Sequence, residues 1–409
     1  MRVKAWLTGL SARKNYVLAS LLLLLPCYWQ PRLQASDLSN LIYSGWLVRL
    51  VESGRGQGMA VACRWTNVLF DFILSGLFRA VGPEAAQRIS VSLAVLTFAW
   101  GAFAFVSVVS GKRPWHLMPS IAMLAYGWVF HMGFFDFYLS MGLCFWALAL
   151  AWETKPWRVA AALPIFLLAY LSHALPVVWT CGLLIYISLA RQLTPKLRSA
   201  LTANFVLAMV VFHLLATRLM SVEAAQAPRP GVSGDPGTVF GPEYGLVLMG
   251  LAAVWSALFV GLVRGSGARQ VVTGIPFQVC LVSAAMVFAL PITLLLPDFY
   301  YALGFVGERM SLGVAACVCA LLGAARPRRI ERWALLAVAI VFFALVYRGQ
   351  RALNLREDQM EDVVAQTVPS RIHQKPGIEE AASPNAWPAA DFHRSRSAAR
   401  RADHTLLPL

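Results

Sequence analysis

Asp37, His131, Asp136, His173, Glu308 and Arg309 stand where this oily chain turns between apolar runs. Carboxylate, imidazole and guanidinium are the groups that move protons and hold anions. A guanidinium in particular suits a phosphate, through two parallel N–H bonds. Each residue also has a plainer reading. In Ser36-Asp37-Leu38-Ser39-Asn40 either Ser36 or Asp37 suits a helix cap, and Asp136 suits the first turn of the run that follows it. His131 and His173 suit a membrane interface as amphipathic rings. Glu308 and Arg309 suit a solvated ion pair.

The elements that must position them are membrane spans. With 58% hydrophobic and only 13% charged residues, 409 residues do not describe an ordinary water-soluble domain. Apolar runs occur at Tyr16–Trp29, Ile89–Val109, His116–Phe130, Phe135–Trp152, Val159–Ser172, Leu175–Ala190, Leu201–Met220, Tyr244–Val263, Val271–Leu296, Ser311–Gly323 and Trp333–Tyr347. They predict an all-α, polytopic transmembrane bundle of about eleven spans. Residues 1–347 form this domain, and 348–409 a polar tail. In the tail QRALNLREDQMEDVVAQTV suits an amphipathic helix, and from Pro369 the composition is that of disordered chain.

Lys and Arg collect in alternate short loops: Lys112 and Arg113; Lys155 and Arg158; Arg191, Lys196 and Arg198; Arg264 and Arg269; Arg326, Arg328, Arg329 and Arg332. Short basic loops stay cytoplasmic, so the N-terminus is inside and the six polar residues above share the outer layer. This also accounts for much of the net charge of +15. The cations form no stripe interleaved with aromatics, which argues against nucleic acid and for anionic membrane lipids as the partner.

The loop 30–88 is longer than a connection needs to be and stays outside although it holds six arginines, since long loops obey the charge rule weakly. Two interfacial amphipathic helices are expected in it. One follows Asp37, with Leu38, Leu41, Ile42, Gly45 and Trp46 on its apolar face. The other runs from Trp65 to about Val81, with Val68, Leu69, Phe72, Gly76 and Leu77 on its apolar face, and ends at Gly82-Pro83.

The stretches QASDLSNLIYSGWLV, WTNVLFDFILSGLFRAVGPEAAQRI, FHMGFFDFYLSMGLCFWALALAW and LLAYLSHALPVVW, in that order, resemble the GT-C class of integral membrane glycosyltransferases, in particular a bacterial branch of it. The resemblance covers roughly residues 16–325 and rests on loose patterns of aromatic, Gly and single polar residues. It implies a polyprenyl-phosphate-linked sugar as donor. The sugar goes to a lipid, glycan or protein acceptor at the outer face of a bacterial cytoplasmic membrane. It implies for Asp37 the catalytic or metal-associated role of the acidic residue in the first outer loop. Many members carry paired acidic residues there, where this chain has Asp37-Leu38-Ser39-Asn40, so a divalent metal is neither required nor excluded.

The chemistry suits an acid at that place. An acceptor hydroxyl must lose its proton to a carboxylate while lipid phosphate departs, and a cation must steady the phosphate. Arg309 is the candidate cation, with Glu308, His173, His131 and Asp136 as further substrate-binding residues. Two rivals use the same features: a transporter or lipid flippase, which would hold its polar groups near mid-membrane and which lacks support from an internal repeat, and a surface-polysaccharide polymerase or ligase. Walker-type, serine-esterase and zinc-protease motifs are absent from the sequence.

Overall fold

The computed structural model describes residues 14–55, 61, 65–223, 239–289 and 304–367, and every regular element among them is helical. In chain order the helices are α1 (Lys14–Cys27), α2 (Leu38–Glu52), α3 (Leu69–Val81), α4 (Pro83–Ser110), α5 (Met118–Ala125), α6 (Trp128–His131), α7 (Phe135–Ala151), α8 (Pro156–Ser172), α9 (Ala174–Gln192), α10 (Pro195–Glu223), α11 (Gly245–Ser266), α12 (Ala268–Val272), α13 (Ile275–Ala289), α14 (Val306–Leu322) and α15 (Arg329–Thr367). Five of them, α4, α9, α10, α11 and α15, are long and apolar enough to cross a membrane, and α1, α7, α8 and α13 are shorter apolar helices. The protein is thus an all-α membrane protein. The compact body runs to Asn354, and the residues from Leu355 form a separate unit. The disorder expected from Pro369 onward lies outside the described residues.

Helices that bury little apolar area against one another in lipid associate through close backbone approach and ring packing. The crossing of α4 with α7 is built that way. A Cβ on Gly101 would lie 2.4 Å from the Gly142 carbonyl oxygen, and one on Gly142 would lie 2.7 Å from the Phe98 Cα. Around these glycines Phe98 stacks on Tyr138 at 4.6 Å and Phe105 on Phe145 at 5.9 Å, while the Trp146 indole N–H donates to the Thr97 carbonyl at 3.2 Å. Because the obstacle at Gly142 is backbone, Gly142→Ala should lower stability by about 1–3 kcal/mol. Thermal unfolding in detergent measures this, and an unchanged midpoint would contradict the close crossing.

Three sequence expectations change. The third apolar run is not one helix but α5 and α6, broken at Tyr126-Gly127, where a Cβ on Gly127 would meet the Val239 carbonyl oxygen at 2.4 Å. The helix expected from Trp65 begins only at Leu69. Asn67 takes a left-handed backbone (φ 61°), and the segment before α3 is tied to the end of α8 instead, by Thr66 Oγ1 to Tyr170 O at 2.9 Å and Val68 N to Leu171 O at 3.1 Å. The face it turns to the rest of the protein is Phe70, Leu74 and Phe78, whereas Phe72, assigned to the apolar face, is exposed. The α2 face is as expected in part: Leu38 and Gly45 are buried, with Leu41 and Ile42 against the core.

The bundle has two chemically different ends. At one, Arg113 lies over the Tyr16 ring, Lys112 Nζ donates to Ala324 O and Ala325 O at 3.1 and 2.8 Å, Arg191 donates to Trp152 O at 2.9 Å, and Arg198 donates to Thr273 O. These bonds tie the Lys112 loop to residues 324–325, and the Arg191 and Arg198 loop to Trp152 and Thr273. At the other end lie α2, α3 and the turns before α7, α9 and α14.

Candidate functional site

Asp37 reaches its place through a series of backbone anchors. After α1 the Arg88 guanidinium donates to Pro31 O at 2.6 Å and Gln30 O at 3.3 Å. The Asn354 side-chain amide pairs both ways with the Arg32 backbone, accepting N–H at 2.9 Å and donating to C=O at 3.1 Å. Trp29 donates its indole N–H to Gln350. Gln350 and Asn354 are both buried on α15. The chain then pairs with the turn after α6: Ser36 N donates to His131 O at 2.8 Å and Asp37 N to Met132 O at 3.0 Å. Gly133, at φ 75°, leaves the space for this approach, since a Cβ there would lie 2.6 Å from Asp37 N.

Asp37 occupies the N-cap position of α2, but its side chain accepts no hydrogen bond from the helix. Its helical backbone (φ −85°, ψ −4°) turns the carboxylate away from the free N–H groups that a capping residue serves. Among the described residues its one side-chain partner is Asn40 Nδ2, at 3.5 Å, the limit of a hydrogen bond. The carboxylate is half-buried and caps no helix.

Arg309 lies in the first turn of α14 and feels the charges of both Asp37 and Glu308. Among the described residues no ion pair within 4 Å joins it to either. Its guanidinium carbon stands 3.6 Å from the Phe134 ring centre, a cation–π contact. Phe134 packs in turn with Trp128 and Phe305, and Phe305 with Trp128, so the ring under the cation belongs to a cluster of three. Arg309 Nε and Glu308 Oε2 are both buried without a hydrogen-bond partner, a costly state that a bound polar ligand would relieve.

His173, the extended residue between α8 and α9, is buried, and its Nδ1 accepts from Leu175 N at 3.2 Å. The ring proton is then on Nε2. Burial, with Arg309 nearby, pushes its pKa down to about 3, so it is a neutral donor rather than a titrating base. Its carbonyl accepts from Ser140 Oγ at 2.8 Å, and its ring meets Phe137 edge-on. His131 is partly buried. Its Nδ1 bonds to Gly127 O at 3.0 Å, its carbonyl holds Ser36, and burial lowers its pKa.

Asp136 belongs to a different cluster. Its Oδ1 accepts from Phe70 N at 3.0 Å, and the Leu69 N–H also bonds to the carboxylate. It thus caps α3 and not its own helix α7, whose N-cap position, Phe134, makes no side-chain cap. Asp71 lies close enough for the two charges to interact. Its Oδ1 is buried without a partner, and burial pushes its pKa up from 3.8 to about 6. The folded value exceeds the unfolded one, so stability is greatest below about pH 4 and falls as pH rises through 6. Asp71→Asn should therefore unfold at a higher temperature than wild type at pH 7. The gap should close below pH 4; a gap independent of pH would contradict this account.

The structure thus gathers Asp37, Arg309, Glu308 and His173 at one end of the bundle, brings His131 to them through the backbone, and sets Asp136 apart with Asp71. The contact of Arg309 with Phe134 and the α15 anchors Gln350 and Asn354 are not singled out by sequence. The run GFFDF holds a signal for the former, since its aromatic residues exceed what one helix face can bury. Among known proteins the chain matches no family model, no curated protein and no solved structure.

Proposed function

We propose that the protein is a glycosyltransferase that moves a sugar from a polyprenyl-phosphate donor to a lipid, glycan or protein acceptor. The observation that carries this reading is a carboxylate that caps no helix, Asp37, within electrostatic reach of a guanidinium, Arg309, that stands on the Phe134 ring and makes no ion pair among the described residues. Asp37 takes the proton of the acceptor hydroxyl as its oxygen bonds to the anomeric carbon. The bond from that carbon to the phosphate oxygen breaks, and the electron pair leaves with the lipid phosphate. Arg309 holds the departing phosphate, whose charge is best stabilised by a donor already in place. His173 adds a neutral N–H donor close by. Among the described residues no three His, Cys, Asp or Glu side chains come together as metal ligands, and no step is routed through a metal.

The end that carries the short basic loops is the cytoplasmic one in this reading, because Lys and Arg in short loops are retained there. The site then faces outward across a bacterial cytoplasmic membrane crossed about eleven times. Polar groups collected at helix ends favour transfer over transport, which would need them at mid-depth. The test is to give purified protein radiolabelled polyprenyl-phosphate sugars, with and without divalent metal, and to follow release of lipid phosphate. If none of a panel of such donors is consumed, the reading fails.

A further inference from the structure

An open cleft lies at the opposite end of the bundle. A cleft of about 730 Å³ opens between the start of α10 and the loop around α12, lined by Lys196, Ser199, Arg269, Gln270 and Thr273 among others. The Arg198 guanidinium builds its wall by donating to Thr273 O and Ala190 O, which ties α9, α10 and α12 together.

The cations of this cleft differ from those of the other basic loops. Lys155 and Arg158 have Glu153, at 3.0 and 3.4 Å. The Arg328 loop has Glu331, whose carboxylate accepts from Arg328 N at 2.7 Å. Lys112 is engaged by the carbonyls of Ala324 and Ala325. Lys196 and Arg269 make no ion pair among the described residues. No acid is near in sequence either: there is no Asp or Glu between Glu153 and Glu223, nor between Glu243 and Asp298. Glu223 closes α10 at its far end, and Glu243 precedes α11, whose far end borders the cleft. Lys196 and Arg269, with the Gln270 amide beside them and no carboxylate within ion-pair distance among the described residues, suit a phosphate group, while the Ser199 and Thr273 hydroxyls already donate to Pro195 O and Arg269 O at 3.0 and 2.8 Å. Basic pockets between helix ends at a membrane surface take anionic lipid headgroups.

We propose that this cleft binds the phosphate of an anionic phospholipid headgroup through Lys196 and Arg269, with Ser199, Gln270 and Thr273 completing the polar lining. The site is independent of the transferase reading. Both cations are exposed, so their replacement leaves folding intact. In the test, full-length protein in uncharged detergent is titrated with short-chain phosphatidylglycerol or phosphatidylcholine, and bound lipid is read by native mass spectrometry. Wild type should retain phosphatidylglycerol in preference. The double variant Lys196→Gln with Arg269→Gln should weaken that retention at least about tenfold, whereas Lys155→Gln with Arg158→Gln should not. Inorganic phosphate that displaces the lipid identifies the phosphate as sufficient; failure to displace it shows that the acyl chains belong to the ligand. Equal retention of the two lipids by wild type, or equal loss in the two double variants, overturns the proposal.

Discussion

Asp37→Asn should lower sugar transfer at least about 100-fold, the contribution of a well-placed general base, and leave stability within about 0.5 kcal/mol of wild type. The separation of the two effects is what matters. If the carboxylate were a helix cap, its loss would cost about 1 kcal/mol of stability. The α2 N-terminus makes no such bond to it, so folding has nothing to lose. Asn keeps the size and the contact with Asn40 but cannot accept a proton at neutral pH. Transfer kinetics with a saturating donor and thermal unfolding on the same preparation decide the matter. A variant as active as wild type, or one that is inactive only because it unfolds, would remove Asp37 from the chemistry.

Gly133→Ala should destabilise the protein by about 2–5 kcal/mol and abolish transfer with it. Two costs add. The left-handed backbone at φ 75° costs a residue with a Cβ about 1–2 kcal/mol. The new carbon would also lie 2.6 Å from Asp37 N and 2.9 Å from Leu38 N, both backbone atoms that cannot rotate away, and relieving such overlap costs about 1–3 kcal/mol. Relief would stretch the bonds that Ser36 and Asp37 make to His131 and Met132. Thermal unfolding and donor consumption together check this, and a variant with wild-type values for both would show that the turn does not hold Asp37.

What sequence disclosed was what local pattern determines. Among the described residues the apolar runs fall on helices, the helix after Asp37 begins at Leu38, and Pro83 opens α4. The alternation of basic loops matches one end of the bundle. What it concealed depends on partners far along the chain. Around α3, LFDFILSGLF is apolar on most sides, so hydrophobicity alone does not select the Phe70, Leu74 and Phe78 face. Gly45 on α2 helps to do so, since it leaves room against Phe78. Asp136 is a good local cap, yet its carboxylate serves a helix 66 residues earlier in the chain. The break at Tyr126-Gly127 answers to the Val239 carbonyl and leaves no mark in an apolar run. Among the six polar residues, shared position at helix ends was legible. That Arg309 sits on the Phe134 ring required the turn before α14 to meet the turn before α7.

The pairing of Asn354 with Arg32 joins residues 322 positions apart. During synthesis Arg32 emerges 322 residues before Asn354, so the segment leading to Asp37 waits for α15 before its amide clasp can close. A nascent chain halted before Gln350 lacks both α15 anchors, however many of its earlier helices have inserted. The placement of Asp37 is thereby tied to the synthesis of α15.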